Sequence, residues 1–256
     1  MMNKKIQLSG VVIASNNEKV IEDCLHSLKF CDETILVDTG ITDGTLDVAE
    51  KTGAIVVECK KGSFQTWRNC GLEAAKGDWI LYVDTDERIT KELEKEIKSK
   101  IKNPNSNIVY YAIPRNNFIL GSRFKYSGEY PDYQKRLFRK SKLKKWTGDL
   151  HEEPIVDGEI DHLENAMTHL KHDNFRDMVS KTNTWSEKEA KLLFDSNHPQ
   201  MAPWRFFRIM ITEFFDWFIR KRAFMDGYKG VMYGIYQIWS KTLTYAKLWE
   251  MQIKQQ

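Results

Sequence analysis

The chain has 256 residues, 41% of them hydrophobic and 29% charged. That is enough for one large domain, or one domain with an appendage, and it excludes wholesale disorder. The net charge of +3 is too small to imply a nucleic-acid role, and four cysteines (Cys24, Cys31, Cys59, Cys70) without C-x-x-C spacing argue against a structural zinc site and a disulfide framework.

In chain order, Ile6 to Ala14 is an apolar run of strand length. The opening "MMNKKIQLSGVVIAS" carries basic residues, but its apolar run is short and has no small-residue cleavage site, so it reads as a strand and not as a signal peptide. With the cysteine pattern, this suggests a reducing, cytoplasmic setting. Asn16-Asn17-Glu18 opens a helical pattern with Val20, Ile21, Cys24, Leu25 and Leu28 on one face, and Ser15 or Asn16 is placed to cap it. "ETILVD" (33–38) reads as a second buried strand. Residues 42–53 read as a short helix capped by Thr42 or Asp43 and stopped by Gly53, and "AIVVEC" (54–59) as a third strand. A helix over 63–77 stopped by Gly77 and a strand "DWILYVD" (78–84) follow. An exposed helix over 90–101, with Glu94–Lys98 and Glu96–Lys100 pairs at i,i+4, completes the alternation.

Strands separated by helices of roughly 10–15 residues predict βαβ units and a mostly parallel sheet. Strands this apolar are covered on both faces, and ligands of such sheets sit outside the carboxyl ends of the strands. Three of those ends are polar: Ser15 to Glu18, Asp38-Thr39-Gly40 and Asp84-Thr85-Asp86. Parallel direction puts all three on one edge.

From Ile108 the pattern becomes irregular, with "IVYYAIPR" as a strand and residues 130–160 as short strands and loops. Lys135 to Lys145 holds seven Lys or Arg and no acid, which is either a solvated face or one that meets phosphates or anionic lipid. Composition shifts near His198. Residues 203–224 have helical apolar spacing at Phe207, Met210, Ile211, Phe214 and Phe218, interrupted by Arg205, Arg208, Arg220, Lys221 and Arg222. The longest charge-free run of this C-terminal part, 230–240, has eleven residues, well short of the about 20 needed to span a bilayer. Aromatic and basic residues on one amphipathic helix suit an interfacial position; packing on the catalytic domain or in a dimer is the alternative.

Asp84 and Asp86 are one residue apart, so in an extended segment both point the same way. Two carboxylates suit Mg²⁺ or Mn²⁺, and they are too few for an all-protein cage, which fits a cation bridged to a diphosphate. A plain turn after a strand is the competing explanation for D-x-D.

The stretches "VVIASNNEKVIEDCLHSLKFCDETILVDTGITDGTLDVAEKTGA" and "WRNCGLEAAKGDWILYVDTDERIT" resemble the nucleotide-sugar domain of family 2 glycosyltransferases. Within that family they are most similar to the branch containing lipopolysaccharide-core β-1,4-glucosyltransferases, as are "YPDYQKRLFRK", "LHEEPIVDG" and the aromatic tail ending near "YAKLWE". The resemblance implies a GT-A fold: a doubly wound, mostly parallel α/β sheet, here with an aromatic and basic helical extension at the C-terminal end. The expected division is a catalytic domain over 1–198 (nucleotide-sugar half about 1–102, acceptor half about 103–198) and a helical extension over 199–256, membrane-interfacial in character. The implied activity is inverting transfer of a hexose such as glucose from a nucleotide-diphospho-sugar, UDP-sugar favoured. The acceptor would be a saccharide or lipid-linked saccharide of the cell envelope, met at the inner face of the cell membrane.

Carried over to this chain, the resemblance implies that Ala14, Ser15 and Glu18 line the nucleoside pocket, Asp38 contacts the base, and Asp43 lies near the ribose or phosphate. Arg68 would sit beside the nucleotide, Asp84 would hold the ribose or the metal, and Asp86 would bind Mg²⁺ or Mn²⁺. Ile41 stands where a Ser is usual and Trp67 where a Gln is usual, departures that bear on sugar or base identity more than on reaction type. An acceptor hydroxyl must lose its proton, for which Asp132 and Glu152 are equal candidates; His151 is a candidate third metal ligand, and Arg136 and Arg139 candidate diphosphate or acceptor contacts. A nucleotidyltransferase would show a Gly-rich basic loop after the first strand, where this chain reads "ASNNEK". A non-catalytic binding module would not need Asp38, Asp43, Asp84, Asp86 and Glu152 together.

Overall fold

The protein is described from a computed structural model over residues 6–105, 107–148 and 152–254. His151, a candidate metal ligand, lies outside the described residues. Two compact units are present. One comprises the chain up to Arg115 together with Asp132–His169, and the other Asn116–Pro131 with Leu170 onward. The boundary expected near His198 is therefore not where the units divide: residues 116–131 and 170–198 pack with the C-terminal helices.

The first unit opens with the predicted alternation: β1 (Leu8–Ala14), α1 (Glu18–Ser27), β2 (Glu33–Asp38), α2 (Thr45–Thr52), β3 (Ile55–Glu58), α3 (Phe64–Ala74) and β4 (Trp79–Asp84). β5 (Glu87–Arg88) and α4 (Lys91–Lys102) follow. β6 (Ile108–Ile119) precedes β8 (Asp132–Arg139), β9 (Leu143–Thr147), β10 (Glu153–Val156), β11 (Glu159–His162) and β12 (Met167–His172), while the short β7 (Ser122–Arg123) belongs to the second unit. The main strand order is β3-β2-β1-β4-β8-β6-β12-β5. β1 runs parallel to β2 and β4, and β2 to β3, whereas β8 is antiparallel to β4 and β6. The register aligns Ala14 with Asp38, Ile13 with Asp84 and Asp38 with Glu58, so the polar strand ends share one edge.

Two apolar layers explain why β1, β2 and β4 read as continuous hydrophobic runs. Leu8, Val12, Leu36 and Leu81 pack with α1 and α4, and Val11, Ile35, Ile80 and Tyr82 pack with α3, Phe138 and Trp146. At Gly71, α3 approaches β1 so closely that a Cβ would lie 2.4 Å from Val11 Cγ1, which only glycine permits.

Local chemistry differs from expectation at several points. Neither Ser15 nor Asn16 caps α1; Asn17 is the N-cap, and Asp43 reaches across from the next loop to accept the Glu18 N–H at 3.2 Å. The Glu94–Lys98 pair forms at 2.7 Å, but Glu96 instead accepts the backbone N–H groups of Glu164 and Asn165 while Lys100 pairs with Asp161. Tertiary partners have displaced a weak helix-surface pair. Cys59 and Cys70 are joined by a disulfide, contrary to the framework-free reading, because the β3 end and α3 converge.

The second unit holds α5 (Phe175–Asp195), α6 (Pro203–Phe214) continued by a π-helical segment (Phe215–Arg220), a 3₁₀ turn (Ala223–Asp226) and α7 (Gly227–Ile253). Its two cores gather Ile119, Phe124, Met178, Trp217, Tyr233 and Tyr236, and Ala190, Met201 and Leu248. Asp226 draws in the 124–131 loop by accepting from Lys125 N, Tyr126 N and Ser127 Oγ. Glu129 of that loop is buried and fully engaged: Lys171 Nζ donates to both carboxylate oxygens at 2.8 Å, Tyr233 Oη to Oε1 at 2.9 Å and Asn117 Nδ2 to Oε2 at 2.9 Å. No described helix is long and apolar enough to cross a membrane.

Candidate functional site

A cleft of about 420 Å³ opens at the carboxyl ends of β1 and β4. Ile13, Ala14, Ser15 and Asn17 form one side, Phe64 and Trp67 of α3 another, and Asp84, Thr85, Asp86 and His169 the floor. The D-x-D aspartates do not point together. Thr85 and Asp86 form a turn between β4 and β5, so the alternation of an extended segment does not apply. Asp86 faces His169, with Oδ2 3.6 Å from Nε2. Asp84 turns to arginines: Arg136 Nη2 bonds its Oδ2, and Arg68 Nη2 lies 3.6 Å from Oδ1.

These contacts belong to a longer chain of alternating charge. Glu152 accepts from Arg68 Nε at 3.1 Å, Arg68 approaches Asp84, and Asp84 pairs with Arg136. Arg136 donates to Glu87 Oε1 at 2.6 Å, Glu87 pairs with Arg115 at 3.2 Å, and Arg115 binds Asp132 Oδ2 through Nε at 2.9 Å and Nη2 at 2.6 Å. Four carboxylates thus alternate with three guanidiniums. Glu87 also accepts the Asp84 N–H at 2.9 Å, and is wholly buried, which a lone carboxylate could not be.

Burial would raise the Asp84 pKa, but the charges of Arg136 and Arg68 outweigh it and hold the carboxyl at about 2. Burial likewise works against the Arg136 cation, and Asp84 and Glu87 outweigh it. Arg68 lies over the Trp146 ring at 4.7 Å. Among the described residues, Arg68 Nη1 and Arg136 Nε are buried with no acceptor. An enclosed N–H without a partner is costly. Both arginines, with Glu152, Tyr133, Gln134 and Trp146, line a second cleft of about 190 Å³. The Asp84–Arg68–Arg136 junction therefore touches both clefts.

The structure places the remaining predicted residues as follows. Ala14 and Ser15 line the larger cleft. Asp38 is buried and accepts the Gly40 and Ile41 N–H groups at 2.8 and 2.7 Å, shaping the turn after β2; it does not line the cleft. Asp43, its carboxyl lowered by the Thr45 hydroxyl bond, organises the start of α2, and neither it nor Glu18 lines the cleft. Arg139 lies over Trp79, its register partner at the far end of β4, and so stands away from the diphosphate contact expected of it. Asp132 and Glu152 occupy opposite ends of the charge chain. Among the described residues no group of three or more His, Cys, Asp or Glu is placed to hold a metal ion.

Glu87, Arg115 and His169 were not singled out from sequence. Arg115 sits in an apolar strand run, "IVYYAIPR", where a lone charge needs a buried partner, and that was the available signal.

Residues 9–154 match the model of the family described as Glycosyl transferase family 2. The chain is 28% identical over 267 residues to an "Uncharacterized glycosyltransferase" of Rickettsia bellii, spanning 99% of this chain and 89% of that one. It is 23% identical to the lipopolysaccharide core biosynthesis glycosyltransferase LpsC of Rhizobium meliloti, over 97% of this chain and 94% of that one. Among solved structures, S. aureus TarS 1-349 in complex with UDP-GlcNAc is similar in fold, with a TM-score of 0.51 and 19% identity over 86% of this chain and 73% of that chain.

Proposed function

Because this chain belongs to glycosyl transferase family 2, we propose that it transfers a hexose such as glucose, with inversion, from a UDP-sugar to a saccharide acceptor of the cell envelope. The envelope assignment draws on the name of LpsC, and the UDP assignment on the ligand of TarS. The observation that carries the reading is the charge chain: Arg68 and Arg136, which line the smaller cleft, pair with Asp84, which lines the larger one, and each keeps an N–H with no partner among the described residues. A diphosphate is the anion that fits two cations at such a junction.

The donor lies in the larger cleft, with its diphosphate toward Arg68 and Arg136. Asp86 and His169 would hold a Mg²⁺ or Mn²⁺ ion arriving with the donor. The Asp86 carboxylate is the oxygen ligand such a hard cation takes, with phosphate oxygens and water completing its shell, and the His169 imidazole 3.6 Å away is a nitrogen ligand that Mn²⁺ would accept more readily than Mg²⁺. When bound, the ion would neutralise charge developing on the diphosphate.

Glu152 serves as the base. The oxygens of Asp132 are taken by two N–H groups of Arg115 and by Gln134 at 2.8 Å. Among the described residues Glu152 accepts a bond from Arg68, and it lines the smaller cleft. An acceptor hydroxyl in that cleft gives its proton to Glu152 as its oxygen bonds the anomeric carbon from the face opposite the diphosphate. The bond from that carbon to the diphosphate oxygen breaks, and the nucleoside diphosphate leaves with the electron pair. Arg68 links the steps, because it holds the base and borders the leaving group.

The helical unit suits the inner surface of an anionic membrane. Trp204, Phe207, Ile211, Phe215 and Ile219 recur at helical spacing on α6 and its continuation, and all are exposed, Phe207 by 64%. Arg208 and Arg220 flank them; the acids of this segment are Glu213 and Asp216, the latter paired with Arg220 and Lys221. An aromatic stripe with a cationic border matches a headgroup layer.

A donor-hydrolysis screen with several UDP- and GDP-sugars, each with Mg²⁺ or Mn²⁺, tests the reading. Release of UDP from at least one UDP-sugar is expected; no nucleotide release from any donor would overturn it.

A further inference from the structure

The larger cleft is polar on most of its surface and aromatic at one corner. What β1 and the loop after it contribute beyond Ile13 is small or polar: Ala14, Ser15 and Asn17. Thr39, Asp84, Thr85, Asp86 and His169 supply hydrogen-bonding groups. The carbon-ring walls are Phe64 and Trp67, whose centroids lie 5.2 Å apart at an interplanar angle of 74°. They stand three residues apart on the first turn of α3, so helical spacing puts them side by side. That turn is fixed by the capping box of Ser63 and Thr66, and Trp67 also packs against the Val11–Tyr82 core. The corner is therefore rigid, and Phe64 is left 44% exposed.

A nucleotide sugar has one flat π face, its base; the rest is hydroxyl and phosphate. Of the cleft's walls only this corner offers aromatic surface without charge, and Asp86 with His169 occupies the polar floor. Resting on the donor-site reading above, we propose that the Phe64–Trp67 corner receives the donor nucleobase by stacking and sets the strength of nucleotide binding. Base–aromatic stacking removed by substitution weakens binding by roughly tenfold to a hundredfold.

The test is calorimetric titration of the full chain with UDP, UDP-glucose and pyrophosphate, each with Mn²⁺, in wild type, Trp67→Gln, Trp67→Phe and Phe64→Ala. Trp67→Gln should lose about tenfold to a hundredfold in affinity for UDP and UDP-glucose alike and keep its affinity for pyrophosphate, which has no base. Trp67→Phe should retain most of the affinity, and its ring should no longer contribute tryptophan emission that UDP quenches. Phe64→Ala, at a more exposed position that tolerates truncation, should show a smaller loss of the same pattern and keeps the test valid if Trp67→Gln fails to fold. Unchanged UDP affinity in the folded variants would overturn the proposal. So would a loss confined to UDP-glucose, which would put the sugar against the rings. Wild-type protein that binds pyrophosphate but no nucleotide would overturn it as well. Wild-type protein that binds none of the three would instead bring down the donor-site reading, and this inference with it.

Discussion

Each unit contains a buried network of charges, and the two are finished differently. In the helical unit Glu129 is closed off: Lys171, Tyr233 and Asn117 fill its oxygens. In the α/β unit Arg68, Arg136 and Glu87 of the chain from Glu152 to Asp132 are buried, yet among the described residues Arg68 and Arg136 each keep an N–H with no acceptor. Burying a charge is costly in both cases. A network that spends its hydrogen bonds internally holds the fold, whereas the other keeps buried donors in two arginines that line the smaller cleft. Exposed surface repeats the contrast. The α/β unit covers β1, β2 and β4 on both faces, whereas the helical unit leaves Trp204, Phe207 and Tyr228 largely uncovered, a patch of the kind that marks an interaction surface.

Mutations should separate the two networks. The largest effect is expected in the open one, where Glu152→Gln should lower turnover by roughly 10²–10⁴-fold and leave the Kd for UDP nearly unchanged. Single-turnover kinetics beside calorimetry distinguishes this from Asp132→Asn, which should cost much less in turnover if Asp132 only braces Arg115. In the closed network Glu129→Ala should lower unfolding free energy by about 3–5 kcal/mol, since it strands the Lys171 ammonium. Urea unfolding measures that loss, and the remaining folded protein should bind UDP normally. If Glu129→Ala instead abolished UDP binding in folded protein, the division into closed and open networks would fail.

Smaller effects sharpen the comparison. Replacing Phe207 and Ile211 with Ser should weaken association with anionic vesicles by on the order of tenfold or more, without changing turnover on a soluble acceptor. Equal vesicle binding by the double variant would remove the membrane role of the helical stripe. The smallest effect concerns acid stability. Asp84 titrates at about 2 in the folded chain, below its unfolded value of about 3.9. Its contribution is therefore present above about pH 4 and lost as pH falls through about 2. Asp84→Asn should flatten that part of the stability-against-pH curve, and an unchanged slope would contradict the Arg136–Asp84 pairing.

Much of the α/β unit was legible because its signals are local. Strand runs such as Trp79–Asp84, the stop at Gly53 and the polar strand ends lie within a few residues of what they govern, and their register delivered one shared edge. The site's pairings are not local. Arg68 meets Glu152 across 84 positions and Arg136 meets Glu87 across 49, so nothing near either residue announces the partner. The D-x-D was visible, but its tight turn, which sends Asp84 and Asp86 to different partners, was not. His169 reads as an unremarkable strand residue until β12 pairs it with Glu87 beside Asp86. The division at His198 followed a change in composition, whereas the units follow packing, which draws Glu129 to Tyr233 over 104 positions.

The central claim is that the junction of Arg68, Asp84 and Arg136 receives the diphosphate of a nucleotide sugar. Calorimetric titration of UDP into the wild-type chain, with and without Mn²⁺, tests it most directly. The account predicts saturable binding at one site per chain, strengthened by the cation and weakened at least tenfold by Arg136→Met in protein that remains folded. Absence of binding under both conditions, or full affinity in the folded variant, would contradict it.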